Sequence, residues 1–137
     1  MGPWVRFYMA GNEGEPWPWC AGFACFVLKQ ACRTLGVPMP IQASFSRDSL
    51  AASAKDRGRF LSERTLNRAD IKPGMLFLNR RTSTDWAHVG IVVDASDVAH
   101  EVFLSIEENT NDDGDREGNE VCRRIRGFKN KDFIRVD

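Results

Sequence analysis

The stretch Trp86-Ala87-His88-Val89-Gly90-Ile91-Val92-Val93 shows most clearly how the second half of the chain folds. Val89, Ile91 and Val93 are β-branched and recur at every second position, which is the period of a β-strand. If these three side chains point into one apolar layer, His88 points to the other side of the sheet. The pattern therefore predicts a strand that buries one face and directs His88 away from it.

Strand patterns lie on both sides of this stretch. Pro73-Gly74 is a turn signal, and the apolar residues 75–78 follow it as a short strand. A polar turn is predicted at residues 111–115. The remaining predicted strands cover residues 101–109, 120–126 and 133–136. Together these patterns predict an antiparallel sheet of about five strands.

The first half of the chain has helical patterns instead. A loop rich in Pro and Trp before Cys20 and the stop signal at Gly36 bracket a main helix of about residues 19–35. Its apolar positions share one broad face, as expected for a helix packed on a sheet. A shorter helix is predicted over residues 47–57, while residues 59–72 are polar and ambiguous. Helices followed by antiparallel strands define an α+β fold.

Length and charge narrow the classes of function. The chain has 137 residues, which suits a single domain over residues 1–137, and its 19 basic and 19 acidic side chains cancel. No global field therefore attracts nucleic acid, and the cluster Arg123, Arg124 and Arg126 is interpreted as a solvated strand face. Neither a membrane-spanning run nor a secretory signal is recognisable. We expect a monomer with no nucleic-acid partner and no membrane span, and the localisation stays open.

Cys20 is the candidate nucleophile. It stands where the loop enters the main helix, and the unpaired N–H groups and positive dipole end of a first helical turn favour the thiolate. Most free cysteines are small buried residues, and this interpretation is kept for Cys25 and Cys32, well inside the helix. The four cysteines lack the paired Cys-x-x-Cys spacing of a zinc site. We therefore expect neither a metal nor another cofactor.

His88 is the candidate general base, because the main helix offers it a thiol and is the element expected to pack on its side of the sheet. A catalytic imidazole needs an acceptor on its second nitrogen. Glu107 and Asn109, two positions apart at the end of the next predicted strand, share one strand face. One would orient His88, and the other would polarise the site or hold substrate. His100 is predicted to be a surface residue.

Four motifs follow one another along most of the chain. They are Pro18-Trp19-Cys20-Ala21-Gly22-Phe23, Lys72-Pro73-Gly74-Met75-Leu76-Phe77-Leu78, Trp86-Ala87-His88-Val89-Gly90-Ile91-Val92 and Ser105-Ile106-Glu107-Glu108-Asn109-Thr110-Asn111. In this order they resemble the motifs of CHAP domains, the cysteine, histidine-dependent amidohydrolases and peptidases related to NlpC-type and papain-like hydrolases. The resemblance implies a papain-like α+β fold and hydrolysis of amide bonds in bacterial peptidoglycan, with action at the cell wall.

On the matching positions, the resemblance implies that Cys20 is the nucleophile and His88 the base. Glu107 would orient His88, and Asn109 would be an accessory polar group. Glu108 departs from the family pattern, which often has Gly between the last two of these positions. Relatives of this pattern usually carry another helix before the Trp–Cys loop. The given sequence starts at Met1, shortly before that loop, so the domain is expected to lack the additional helix.

Three tryptophans flank the catalytic candidates. Trp17, Trp19 and Trp86 are predicted to line a groove for glycan or peptide, although tryptophans also fill cores. Residues 109–120 imitate a calcium loop, but Asn109 at the first loop position and Arg116 at a normally apolar one argue against it. Two alternatives stay open. One is a non-catalytic peptidoglycan-binding module, and the other is a papain-like toxin or transferase that acts on another peptide.

Overall fold

Helices come first and strands second along this chain. The computed structural model describes residues 19–42, 44, 46–82, 85–109 and 120–136, with the side chains of all of these except residues 19, 20, 109 and 120. In the described part, two α-helices precede an antiparallel sheet of six strands. This confirms the predicted α+β class, with one strand more than the sequence patterns indicated.

Both helices lie where they are predicted. They are α1 (Trp19–Leu35) and α2 (Arg47–Asp56). Gly36 follows α1 with a φ of +70°, a left-handed conformation that glycine adopts at little cost. Ser46 caps α2, because its hydroxyl accepts a hydrogen bond from the Ser49 N–H at 3.3 Å.

The strands are β1 (Phe60–Leu61), β2 (Leu76–Thr82), β3 (Asp85–Asp94), β4 (Val102–Asn109), β5 (Glu120–Gly127) and β6 (Lys131–Ile134). Their order in the sheet is β1-β6-β2-β3-β4-β5, and each neighbouring pair is antiparallel. The sequence patterns missed β1 and the short 3-10 helices Arg68–Asp70 and Val98–His100. Elements of two or three residues are too short to show a period.

The sheet separates two apolar clusters. On one face, α1 and α2 pack residues such as Ala24, Leu28 and Leu50 against Leu78 and Val89 of the sheet. The other face carries an aromatic cluster, in which rings pack edge to face with their centroids 5.3–5.5 Å apart. Its buried members are Ile71, Met75, Phe77, Val92, Phe103, Phe128 and Phe133. We call these two sides the helix face and the aromatic face.

Candidate active site

A β-bulge in β3 determines where His88 points. His88 and Trp86 pair with successive residues of β2, so Ala87 between them is an extra residue on β3. The bulge sends the two side chains to opposite faces. The His88 ring lies 6.1 Å from the ring of Phe77 on the aromatic face, whereas Trp86 belongs to the cluster on the helix face.

The first turn of α2 holds this bulge in place. Arg47 donates from Nη1 to the Ala87 carbonyl at 2.8 Å, and the Trp86 N–H donates to Asp48 Oδ1 at 3.2 Å. Backbone groups at an irregular position of a sheet need partners outside the ladder, and these two side chains provide them. α2 therefore fixes the segment of β3 that carries His88.

Glu107 of β4 is the hydrogen-bond partner of His88. Its Oε1 lies 2.6 Å from His88 Nε2, and the carboxylate is only 1% exposed. Arg126 of β5 donates to the same carboxylate from Nε at 2.8 Å and from Nη2 at 2.6 Å. The Ser105 hydroxyl donates to Oε2. Glu107 is thus held by an imidazole, a guanidinium and a hydroxyl at once.

These contacts keep Glu107 ionised. Burial disfavours its charge, but the hydrogen bonds from Arg126, His88 and Ser105 outweigh burial and hold the pKa of Glu107 well below its usual range. An ionised acceptor requires Nε2 of His88 to carry the proton. Nδ1 is then the basic nitrogen of the neutral ring, which is how a carboxylate fixes the tautomer of a catalytic histidine.

Gly90 makes the approach of Glu107 to β3 possible. A Cβ at this position would lie 2.5 Å from the Phe77 ring and 2.8 Å from Glu107 Cγ. Contacts this short would force the aromatic ring and the buried carboxylate to move. Close packing on the aromatic face therefore requires glycine at this position of the His-Val-Gly motif.

Polar residues cross the aromatic face as a row, one from each of five adjacent strands. Asn79 of β2 pairs in register with both His88 of β3 and Lys131 of β6. Glu107 of β4 and Arg126 of β5 continue the row on the far side of His88. We call these five residues the polar row.

The structure brings His88 and Glu107 together, but it does not place the main helix where the sequence analysis expected it. Ala21 and Ala24 of α1 are buried on the helix face beside Val89, so the helix body packs on the side opposite His88. The expectation that this helix covers the His88 side is therefore wrong. Cys20 lies in the first turn of α1, and its side chain is outside the described part. The pairing of Cys20 with His88 stays a prediction.

Trp86 does not line the predicted groove. Trp86 is 4% exposed, and its indole N–H donates to Asp132 Oδ2 at 3.0 Å, so it fills the core on the helix face. The bulge is the reason that it does not share a side with His88. Trp17 lies outside the described residues, as do the side chains of Trp19 and Asn109. Asn109 is the last residue of β4.

Sequence reasoning missed Arg126 and Ser105. The arginine cluster is interpreted above as a solvated face, which holds for the exposed Arg123 and Arg124 but not for Arg126. Period-two alternation places Ser105 on the same face as Glu107, which is a signal that the sequence offers. No local pattern indicates that Arg126 reaches Glu107, because the two are 19 positions apart.

Glu108 lies next to Glu107 but points to the helix face. It is 2% exposed, and its Oε1 has no hydrogen-bond partner in the described part of the chain. Burial raises the pKa of Glu108 to about 7. The position that departs from the CHAP-like motif is thus a buried acid.

The described part of the chain has neither a grouped set of metal ligands nor a membrane-spanning helix. Among the described residues, no three His, Cys, Asp or Glu side chains are grouped so that they could hold a metal ion. Residues 110–119 of the calcium-like segment lie outside the described part. No helix in the described ranges is long and apolar enough to cross a bilayer. No family model, curated protein or solved structure significantly matches the chain.

Proposed function

We propose that this protein is a papain-like cysteine hydrolase that cleaves amide bonds of bacterial peptidoglycan, with Cys20 as nucleophile and His88 as general base. The observation that carries the proposal is the 2.6 Å hydrogen bond between His88 Nε2 and the buried, ionised Glu107. Such a partner orients the ring and stabilises the imidazolium that forms during catalysis. The substrate class comes from the CHAP-like motifs of the sequence.

The position of Cys20 supports its proposed role. It is the second residue of α1, where backbone N–H groups have no intrahelical acceptor and the helix dipole is positive. Both features favour a thiolate. The order of a cysteine-bearing helix and then an antiparallel sheet with the histidine on a strand supports the papain-like assignment.

The proposed reaction has two halves. The Cys20 thiolate attacks the amide carbonyl carbon, and the Cys20 backbone N–H donates to the resulting oxyanion. Protonated His88 gives its proton to the leaving nitrogen, the C–N bond breaks, and a thioester remains on Cys20. Water then attacks the thioester while His88 takes its proton. The C–S bond breaks, and the acid product and the thiolate are released.

Other predicted site residues have supporting roles in this proposal. Glu107 keeps the proton on Nε2 of His88, so proton exchange with Cys20 and the leaving group falls to Nδ1. Asn109 at the end of β4 would be an accessory polar group. Trp17 and Trp19 would line the groove, whereas the buried Trp86 supports β3 from the helix face.

The test is loss of turbidity of purified cell walls. Wild type is expected to clear the walls, and Cys20→Ser and His88→Ala are expected to be inactive while remaining folded by circular dichroism. His100→Ala is the matched control, because His100 is exposed and pairs with Asp97, which is not a member of the polar row. Mass spectrometry of the products would identify the bond that is cut. Activity retained in Cys20→Ser, or wild-type protein that does not clear any wall, would contradict the proposal.

A second candidate is a non-catalytic peptidoglycan-binding module. The observation that favours it is the packing of α1 on the helix face, with His88 on the aromatic face. Thiol labelling separates the two candidates. A catalytic Cys20 should react with iodoacetamide faster than Cys25, whose thiol pKa is raised by burial. Wild-type protein that pellets with cell walls without clearing them, and that shows no fast thiol, would support the binding module.

A further inference from the structure

The polar row contains a buried lysine with weak partners. Lys131 is 8% exposed, and its ammonium lies 3.5 Å from Asn79 Oδ1 and 3.3 Å from the Lys129 carbonyl. Both distances exceed the usual 2.7–3.2 Å range for N–H···O hydrogen bonds. In the described part of the chain, no carboxylate lies within ion-pair distance of this ammonium. Burying an ammonium without a counter-ion is costly.

A second cation increases the positive charge at this place. Burial and repulsion from Arg126 lower the pKa of Lys131, and the attraction of Glu107 and Glu63 does not compensate. Glu107 already accepts hydrogen bonds from Arg126 and His88. The carboxylates of Glu63 and Asp132 both pair with Arg80.

We propose that the carboxylate of a peptide ligand binds beside Lys131, at the end of the polar row that leads to His88. The Lys131 ammonium would donate to it, and the Asn79 amide N–H would be a second donor. A carboxylate would provide the ion-pair partner that Lys131 lacks among the described residues. A phosphate is less suited, because the guanidinium fork that would bind it in bidentate geometry is already occupied by Glu107.

The position of Lys131 also suggests which peptides fit, an inference that rests on the proposed function. β6 and β3 are separated by β2, so Lys131 and His88 lie about 10 Å apart across the sheet. An extended peptide covers this distance in about three residues. The proposed hydrolase would therefore favour amides that have a free carboxylate about three residues away, as in short peptide stems.

The test is an NMR titration with N-acetyl-alanyl-alanine and with the same dipeptide as its C-terminal amide. The signals to follow are the Lys131 side chain and the His88 ring, with the exposed His100 as internal reference. The acid should cause saturable shifts at about millimolar concentration, and the amide should cause none. Lys131→Met should weaken binding of the acid at least tenfold. Lys129→Met, at an exposed position of the adjacent turn, should bind like wild type.

Three results would overturn the proposal. They are equal shifts with acid and amide, unchanged affinity in a folded Lys131→Met, and equal competition by inorganic phosphate. If Lys131→Met does not fold, the comparison of acid with amide on wild-type protein decides alone. The titration needs no turnover, so it also separates this inference from the proposed function. Acid-specific binding by a protein that clears no walls would keep the carboxylate site and reject the hydrolase.

Discussion

Glu107 and Glu108 are adjacent in β4 and almost equally buried, yet they ionise in opposite ways. On the aromatic face, three donors hold the pKa of Glu107 well below its usual range. On the helix face, Glu108 Oε1 lacks a partner in the described structure, and burial raises the Glu108 pKa to about 7. Burial is common to both, so the hydrogen-bond donors make the difference. The sheet therefore separates a permanent anion from a titratable acid.

The two glutamates give stability opposite dependences on pH. The charge of Glu107 contributes stability above its ordinary pKa of 4.5, and this is lost as the pH falls towards the folded value. Glu108 behaves in the reverse sense, because its folded pKa lies above its unfolded value of 4.5. Its contribution becomes unfavourable as the pH rises from about 4.5 to about 7, and it is constant above that.

Glu107→Gln should have the largest effect. The amide keeps the size of the side chain but removes the charge and directs an NH₂ group towards the Arg126 donors. Breaking a buried ion pair typically costs 3–5 kcal/mol, and we expect about 3 kcal/mol here because Arg126 is 32% exposed. Urea unfolding at pH 7 measures this loss. On the proposed mechanism, wall-clearing activity should fall as well, because His88 loses its acceptor.

The matched control is Glu101→Gln. Glu101 also pairs with an arginine, Arg68, at 2.6 Å, but both side chains are exposed. Exposed pairs contribute about 0–1 kcal/mol, so the control should unfold nearly like wild type. Similar losses for Glu107→Gln and Glu101→Gln would mean that burial of the Glu107 cluster is irrelevant to its strength.

Glu108→Met should stabilise the protein at pH 8. Each unit between folded and unfolded pKa values corresponds to about 1.4 kcal/mol. Values of about 7 and 4.5 therefore give an upper limit of about 3.5 kcal/mol, and we expect about 2 kcal/mol after local relaxation. Urea unfolding at pH 5 and at pH 8 should show the difference between variant and wild type mainly at pH 8. An equal difference at both pH values would mean that Glu108 does not titrate in this range.

Arg126→Met should have a smaller effect on stability than Glu107→Gln, about 1.5–2 kcal/mol, because His88 and Ser105 still donate to Glu107. The variant should also change the titration of His88. Without the guanidinium, more of the Glu107 charge acts on the imidazole, so the NMR titration midpoint of His88 should rise while that of His100 stays constant. Arg124→Met, an exposed neighbour on β5, is the control. A rise of equal size in both variants would mean that the change in net charge causes it, and not the loss of the contact between Arg126 and Glu107.

The sequence predicts the regular parts of the fold because they are periodic. The limits of α1 follow from its loop and glycine signals, and the long strands follow from period-two alternation. The bulge at Ala87 escapes such reasoning, because one extra residue leaves the local composition unchanged. For that reason Trp86 is wrongly expected on the side of His88. The apolar stripe of α1 shows that the helix packs on the sheet, but it does not specify on which face of the sheet.

For the candidate site, strand alternation predicts which face of a strand a residue occupies, but not which residues of other strands it contacts. His88 can be assigned from the sequence to the strand face opposite Val89, and Glu107 to one face of the next strand, and the structure adds that their side chains are hydrogen-bonded. Arg126 and Lys131 become part of the polar row only through the strand order β6-β2-β3-β4-β5. Period-two alternation does not specify which distant strands are neighbours in the sheet. The arginine cluster therefore looks uniform, although one member binds a buried carboxylate.

Ser105→Ala should have the smallest effect of the series. The hydroxyl donates to Glu107 Oε2, an oxygen that Arg126 Nε also contacts at 2.8 Å, so the charge keeps a partner. One hydrogen bond to a charged group contributes about 1.5–3 kcal/mol when nothing replaces it. With Arg126 in place we expect a loss of about 1 kcal/mol by urea unfolding, whereas the Arg126→Met and Ser105→Ala double variant should lose more than the sum of the two. Strict additivity would mean that the two donors act on Glu107 independently, and that the low Glu107 pKa does not depend on their cooperation.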